Sequence, residues 1–254
     1  MIAANRTGHV ALLRTAIVAT VLIAWEALAA SGLLFRDVVP SLVAIGQAIG
    51  RLLAHAEFYA NLAATAGEIG AGLAIGGLCG LAIGILLGAN RFLSRAYEEL
   101  VYYLGPTPKI IFFPVMIMWF GVGAGSKIAM AAISCFFPIA ISTASGMRQI
   151  DRVLIRVGQS FRATTVQMVA KIYLPAMRQP VVNGVRLGLG VAIIGTLLAE
   201  TKLSNRGLGY LIIQAYATFD MPRMYALLIV LFVLAIAANA AIGRLGSWGT
   251  TAPV

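Results

Sequence analysis

Charge is scarce in this chain: only 11% of its 254 residues are charged and nine are acidic, while 60% are hydrophobic. A water-soluble domain of this length could not hide so much apolar surface, which excludes that class and places the chain in a membrane. Cysteine is nearly absent. Cys79 and Cys135 lie far apart inside apolar runs, which argues against a disulfide framework or a Cys-rich metal site. The two histidines, His9 and His55, fall outside the apolar runs, so an intramembrane Ser/His pair or His-rich metal site has no residues to form it. No catalytic residue and no metal ligand is expected.

What is abundant is long apolar sequence. Runs near 12–31, 61–89, 98–120, 126–147, 181–199 and 223–243 are separated by Gly, Pro and charge. A span takes about 20 apolar residues, so the length accommodates six helices and no large extramembrane domain. The reading is all-α and polytopic, one transmembrane domain over 1–254 with a cytoplasmic segment at 148–178. Arg6 and Arg14 followed by an apolar stretch and Ala27–Ala29 also fit a cleaved signal peptide. Cleavage would leave an odd number of spans, so a retained first span is the reading taken.

The 19 Lys and Arg, which give a net charge of +10, sit at the ends of the apolar runs, as topology signals do, and do not indicate nucleic acid. With the N-terminus inside, the inner side holds Arg6, Arg14, Arg91, Arg95, Arg148, Arg152, Arg156, Arg162, Lys171, Arg178 and Arg244. The outer side holds Arg36, Arg51, Lys127, Lys202, Arg206 and Arg223, so both termini are expected in the cytoplasm. Residues 41–56, with Leu42, Ile45, Ile49 and Leu52 after Pro40, read as an amphipathic helix on the outer surface.

The second run carries Gly72, Gly76, Gly80, Gly84 and Gly88, a ladder that lets another helix approach its backbone. Glu68 shares the face where the ladder starts and is read either as a path-lining carboxylate or as an acid at the outer interface. Pro106, Pro108 and Pro114 should kink the third span and Pro138 the fourth. Lys109 and Arg186 lie within reach of the inner headgroups, where snorkelling comes first, a structural contact second for Arg186, and path lining last. Glu26 and Glu200 are costly in lipid and are expected to face protein or the outer surface.

Between the fourth and fifth runs lies a stretch too polar to span and too patterned for a loop. Val153, Leu154, Val157 and Phe161 recur at helical spacing, and Thr164 with Gln167 forms a capping box for a second helix, Thr165–Leu174, ended by Pro175. The spacing predicts a cytoplasmic helix, a turn at 162–164 and another helix. By itself that is equally a hairpin covering the bundle.

The stretch "RVGQSFRATTVQMVAKIYLP" resembles the signature loop of ABC importer permeases in spacing: Glu-Ala-Ala, three residues, Gly, nine residues, Ile-x-Leu-Pro. The triplet falls on Arg156, Val157 and Gly158, the glycine on Arg162 (followed by Ala163 and Thr164), and the ending on Ile172, Leu174 and Pro175. Arg156 and Arg162 depart from the usual Glu and Gly. "PTPKIIFFPVMIMWFGVGAGSK", "NGVRLGLG" and "GLGYLI" are similar to the nitrate, sulfonate, taurine and pyrimidine-precursor permeases.

This resemblance implies a MetI-like, type I importer permease in the inner membrane, with 148–178 as the ATPase-coupling loop. It also implies a second permease copy, two ABC ATPases that use ATP and Mg while this chain binds no cofactor, and a periplasmic or lipid-anchored substrate-binding protein. The function it implies is a path for a small organic solute, without enzymatic activity of its own. A stand-alone secondary carrier would need mid-membrane carboxylates and matching repeats, and an intramembrane enzyme a nucleophile and base.

Overall fold

A computed structural model describes residues 2–32 and 38–247. Arg36, assigned above to the outer side, lies outside the described residues. The chain divides into two compact units, residues 1–59 with 211–231 and residues 60–210 with 232–254.

The first unit holds α1 (Ile2–Ser31), α2 (Leu42–Ala54) and the ends of three further helices. Its polar groups are used at the entry to α2. Ser41 accepts from the Ala44 N–H at 3.2 Å, and the Glu26 carboxylate accepts from the Leu42 N–H at 2.9 Å. Both satisfy donors that a helix start leaves free. Trp25 donates to the Pro40 carbonyl at 3.0 Å and packs edge-on to Tyr225 with ring centroids 5.3 Å apart. The acid that the first span could not leave in lipid is thus a helix cap, and α2 buries Ile45, Ala48 and Leu52.

The second unit is built on α3 (Ala56–Ala89, from residue 60), α4 (Arg91–Leu104), α5 (Phe113–Phe120), α6 (Ala124–Arg148) and α9 (Leu174–Lys202). Gly72, Gly76, Gly80, Gly84 and Gly88 of α3 lie against α6. A Cβ at these positions would run into Ala131, Ala132, Phe136, Thr143 and Met147 respectively. On the other side of α6, Gly184, Gly188 and Gly195 of α9 meet Ser142, Ile139 and Ser134 in the same way. Small residues replace a side-chain layer, so backbone packs on backbone. The buried core of this unit includes Phe113, Met116, Met130, Ala131, Cys135, Ile139, Ala192 and Ala199.

Among the described residues, five helices are long and apolar enough to cross a membrane, or six if a bent pair counts as one span. That pair is the third span, and it is broken rather than kinked: α4 and the segment Lys109–Phe120 meet at 91°. Pro106 and Pro108 lie within the break, where their missing donors and fixed φ keep α4 from continuing. Pro114 stands in the first turn of α5, where its missing N–H costs nothing. Pro138 is carried inside α6 without interrupting it.

Candidate functional site

The stretch 148–178 folds as α7 (Arg152–Ser160), a turn, α8 (Thr165–Met168), and a single π-helical turn (Val169–Tyr173) that runs into α9. Each boundary has a local cause. Asp151 caps α7, accepting from the Val153 N–H at 2.8 Å. At the other end Phe161 is the cap, the Arg162 N–H reaches Gln159 O at 2.9 Å and the Ala163 N–H reaches Gly158 O at 3.0 Å. This pair of bonds is a Schellman motif, which requires the residue after the cap to adopt the left-handed conformation. Arg162 does so, with φ of 52°.

The glycine position of the signature thus keeps a glycine-type backbone while carrying an arginine, at a cost of about 1 kcal/mol. Thr164 and Gln167 then bond reciprocally: the Thr164 N–H to the Gln167 side chain at 2.9 Å, and the Gln167 N–H to the Thr164 hydroxyl at 3.3 Å. This is the capping box that starts α8.

Pro175 does not end the second helix. The chain is helical from Thr165 to Lys202, and Pro175 lies in the first turn of α9. The Leu174 N–H bonds to Val169 O, five residues back. The wider π turn takes up the register where the proline ring would collide with an ordinary α-helical carbonyl.

Gly158 is the buried residue of α7; a Cβ there would meet Met168 and Ile172, each at 2.5 Å. The two arms of the hairpin therefore touch at a glycine. The apolar side chains read from spacing point the other way. Val153, Leu154, Val157, Phe161 and Val166 are 46–82% exposed, Phe161 the most. Arg156 and Arg162 are exposed beside them, Ala163 and Ile172 are half-buried, and Thr164, Leu174 and Pro175 are exposed. A two-handed pair between Arg148 and Glu98 joins the end of α6 to α4 close to where the hairpin leaves.

Lys109 turns back toward the break. Its ammonium donates to Gly105 O and Thr107 O and stands 4.9 Å from the centre of the Phe137 ring. It covers carbonyls freed at the end of α4, a role a lysine fills well. Arg186 donates to Asn239 at 3.0 Å, a structural contact between the fifth and sixth spans.

At the opposite end of α3, α6 and α9 is a polar cluster the sequence did not reveal. Glu68 is 3% exposed, on no open surface of this chain. Lys127, assigned above to the outer side, is 1% exposed in the first turn of α6 and donates to Val122 O and Gly123 O. Glu200 is buried and accepts from Thr65 at 2.7 Å and from the Gly209 N–H at 2.6 Å. The Gly207 N–H donates to Asn61 and the Leu208 N–H to Thr65. Three successive amides at the start of α10 (Leu208–Ala217) are thereby held by side chains from α3 and α9. The only sequence trace is Asn61, Thr65 and Glu68 continuing the glycine face of α3 at helical spacing. Among the described residues no three His, Cys, Asp or Glu side chains gather into a metal site.

Comparison with known proteins accounts for this architecture. The chain is 29% identical over 216 residues to the putative aliphatic sulfonates transport permease protein SsuC of Bacillus subtilis, covering 85% of this chain and 78% of that one. It is 31% identical to a probable ABC transporter permease of Haemophilus influenzae (85% and 87% covered), and 29% identical to the taurine transport system permease protein TauC of Escherichia coli (76% and 72%). Its fold matches the MetNI methionine ABC transporter with a TM-score of 0.60 at 22% identity, covering 81% of this chain and 95% of that one. The chain is accordingly a multi-pass permease subunit of an ABC importer, a transport component whose ATPase is a separate subunit. Residues 76–248 match the model of the binding-protein-dependent transport system inner membrane component, and the chain belongs to that family.

Proposed function

We propose that the hairpin at 148–178 is the surface on which a partner ATPase docks, and that it passes the ATPase's movement to the spans. The observation that carries this is the outward apolar stripe of α7, Val153, Leu154, Val157 and Phe161, on a helix whose only buried residue is glycine. A cover for the bundle would turn that stripe inward. An exposed apolar patch with a cationic rim of Arg152, Arg156, Arg162 and Lys171 suits a partner cleft with an apolar floor and acidic edges. Arg156 replaces the Glu usual in this family, so the partner's matching group is expected to be acidic.

The rest of the assembly follows the family. Two copies of this chain enclose the path, two ATPases hold ATP and Mg, and a periplasmic or lipid-anchored binding protein delivers the solute from outside. Both termini face the cytoplasm at the inner membrane, supported by eleven basic residues on that side against six opposite. The solute is a small organic molecule; sulfonates, taurine and formylaminopyrimidine are the loads named for relatives. The broken span at Gly105–Lys109 is the segment we assign to the path wall, because irregular backbone at membrane depth is tolerated only against protein or a water-filled cavity. Glu68 reaches the path only if a second state opens its packing.

The test is co-purification with the ATPase encoded beside it, followed by hydrolysis in lipid with binding protein present. Gly158→Leu forces a side chain between α7 and α8 and is expected to keep the span fold while abolishing stimulated hydrolysis. Stimulated hydrolysis at the unaltered rate in that variant, or transport driven by an ion gradient with no ATPase bound, would refute the docking role.

A further inference from the structure

The break in the third span carries a charge that no acidic group of its unit answers. Lys109 is half-buried, and its ammonium stands 4.9 Å from the centre of the Phe137 ring. Phe137 is thirteen residues past the start of α6 at Ala124 and eleven before its end at Arg148. At 1.5 Å per residue those lengths are about 20 Å and about 16 Å of helix. The ammonium is therefore close to the midplane of a hydrocarbon core about 30 Å thick.

A charge at that depth is costly in lipid, so such groups turn to protein or water and find a partner there. Lys109 has no acidic one. Two of its three N–H donors go to the Gly105 and Thr107 carbonyls. Among the described residues of its unit no carboxylate is within ion-pair distance. Glu98 is tied to Arg148 at the inner end of α6, and Glu99 is exposed beside it. Asp151 caps α7, and Glu68 and Glu200 are buried at the outer end.

The freed carbonyls do not account for the charge. A neutral donor such as Asn or Gln would satisfy two carbonyls without taking a full charge out of water. The Phe137 ring attracts a cation but leaves its charge uncancelled. Pro106, Thr107 and Pro108 are exposed, so the break is not sealed by the rest of the chain.

We propose that Lys109 is an anion-selecting subsite of the path, where its ammonium donates to one oxygen of a carboxylate or sulfonate group on the passing solute. This rests on the assignment of the broken span to the path wall. Gly105 and Thr107 fix the ammonium, and its third donor and uncancelled charge are what the solute meets. A solute with one negative group is held at mid-membrane, and its neutral counterpart gains nothing there. An ammonium already shared with two carbonyls holds a single oxyanion weakly, as a transit site must if the solute is to leave it.

The test labels the four lysines of this chain, Lys109, Lys127, Lys171 and Lys202, with nitrogen-15 at the ammonium. The labelled chain is assembled in lipid with its unlabelled ATPase. Solid-state NMR then measures dipolar contact with the carbon-13 carboxyl of added acetate, and acetamide serves as the neutral probe. The Lys109 signal, identified by its loss in Lys109→Gln and in Lys109→Arg, is expected to show contact with acetate and none with acetamide. In Lys109→Arg the contact should return from a labelled guanidinium. No acetate contact at that signal, equal contact with acetamide, or a Lys109 resonance at the neutral-amine position overturns the proposal. Water access is read separately: Thr107→Cys should react with a charged thiol reagent in at least one nucleotide state, above the background of Cys79 and Cys135. If it stays sealed in every state, the path-wall assignment falls and the subsite with it. If it reacts and Lys109 takes no acetate, only the subsite falls.

Discussion

The two short amphipathic helices, α2 and α7, make opposite use of similar sequence. Each begins at a polar cap, Ser41 or Asp151, and each carries aliphatic residues at helical spacing. α2 turns Ile45, Ala48 and Leu52 into its own unit. α7 turns only Gly158 inward and leaves Val153, Leu154, Val157 and Phe161 outside. Periodicity reveals that a helix has an apolar face; it does not reveal whose surface will cover it. The discriminating residue is the small one: a glycine on the inward face brings the helix close to its neighbour, and the larger side chains are displaced to the far side.

This contrast is breakable by substitution. Leu52→Ala should cost the chain about 2–5 kcal/mol, because it opens a cavity in a closed contact, and thermal unfolding in detergent would register it. Phe161→Ala should leave that unfolding unchanged yet weaken ATPase binding by about 2 kcal/mol, as truncating an interface anchor does; a titration of purified ATPase onto the reconstituted chain measures it. Arg162→Gly should raise stability by about 1 kcal/mol by relieving the left-handed arginine, seen as a higher unfolding temperature. The smallest effect is expected of the caps, where Ser41→Ala and Asp151→Ala should each cost about 1 kcal/mol or less of stability. Of the two, only Asp151→Ala should also lower ATPase affinity in the same titration.

Sequence carried some features plainly and others not at all. The spans, the glycine ladder and the Thr164–Gln167 box are local or strictly periodic, so they leave marks along the chain. A single proline kinks a helix, but Pro106 and Pro108, separated by a single residue, remove enough backbone support to end one, so the third span is broken where a kink is expected. Pro175 looks like a stop along the sequence, but a π turn immediately before it relieves the clash and the helix continues. Lys127 stands at the start of an apolar run among the basic residues of one side, and nothing along the chain shows that its ammonium is buried against the Val122 and Gly123 carbonyls. The polar cluster around Glu200 is invisible for another reason: Thr65 and Glu200 are 135 positions apart, and no local pattern announces that a single carboxylate will be held across such a distance.

The π turn at Val169–Tyr173 sets the phase of a rotating shaft. From Val166 to Lys202 the chain is one continuous helix of 37 residues, so a tilt at the hairpin end is carried along the same helix to the far end of the fifth span. The turn is wider than its neighbours by about one residue, and one residue of helix is a rotation of about 100°. Deleting a single residue there would leave the rod helical, yet turn the hairpin at its tip by a quarter-turn or more relative to the fifth span.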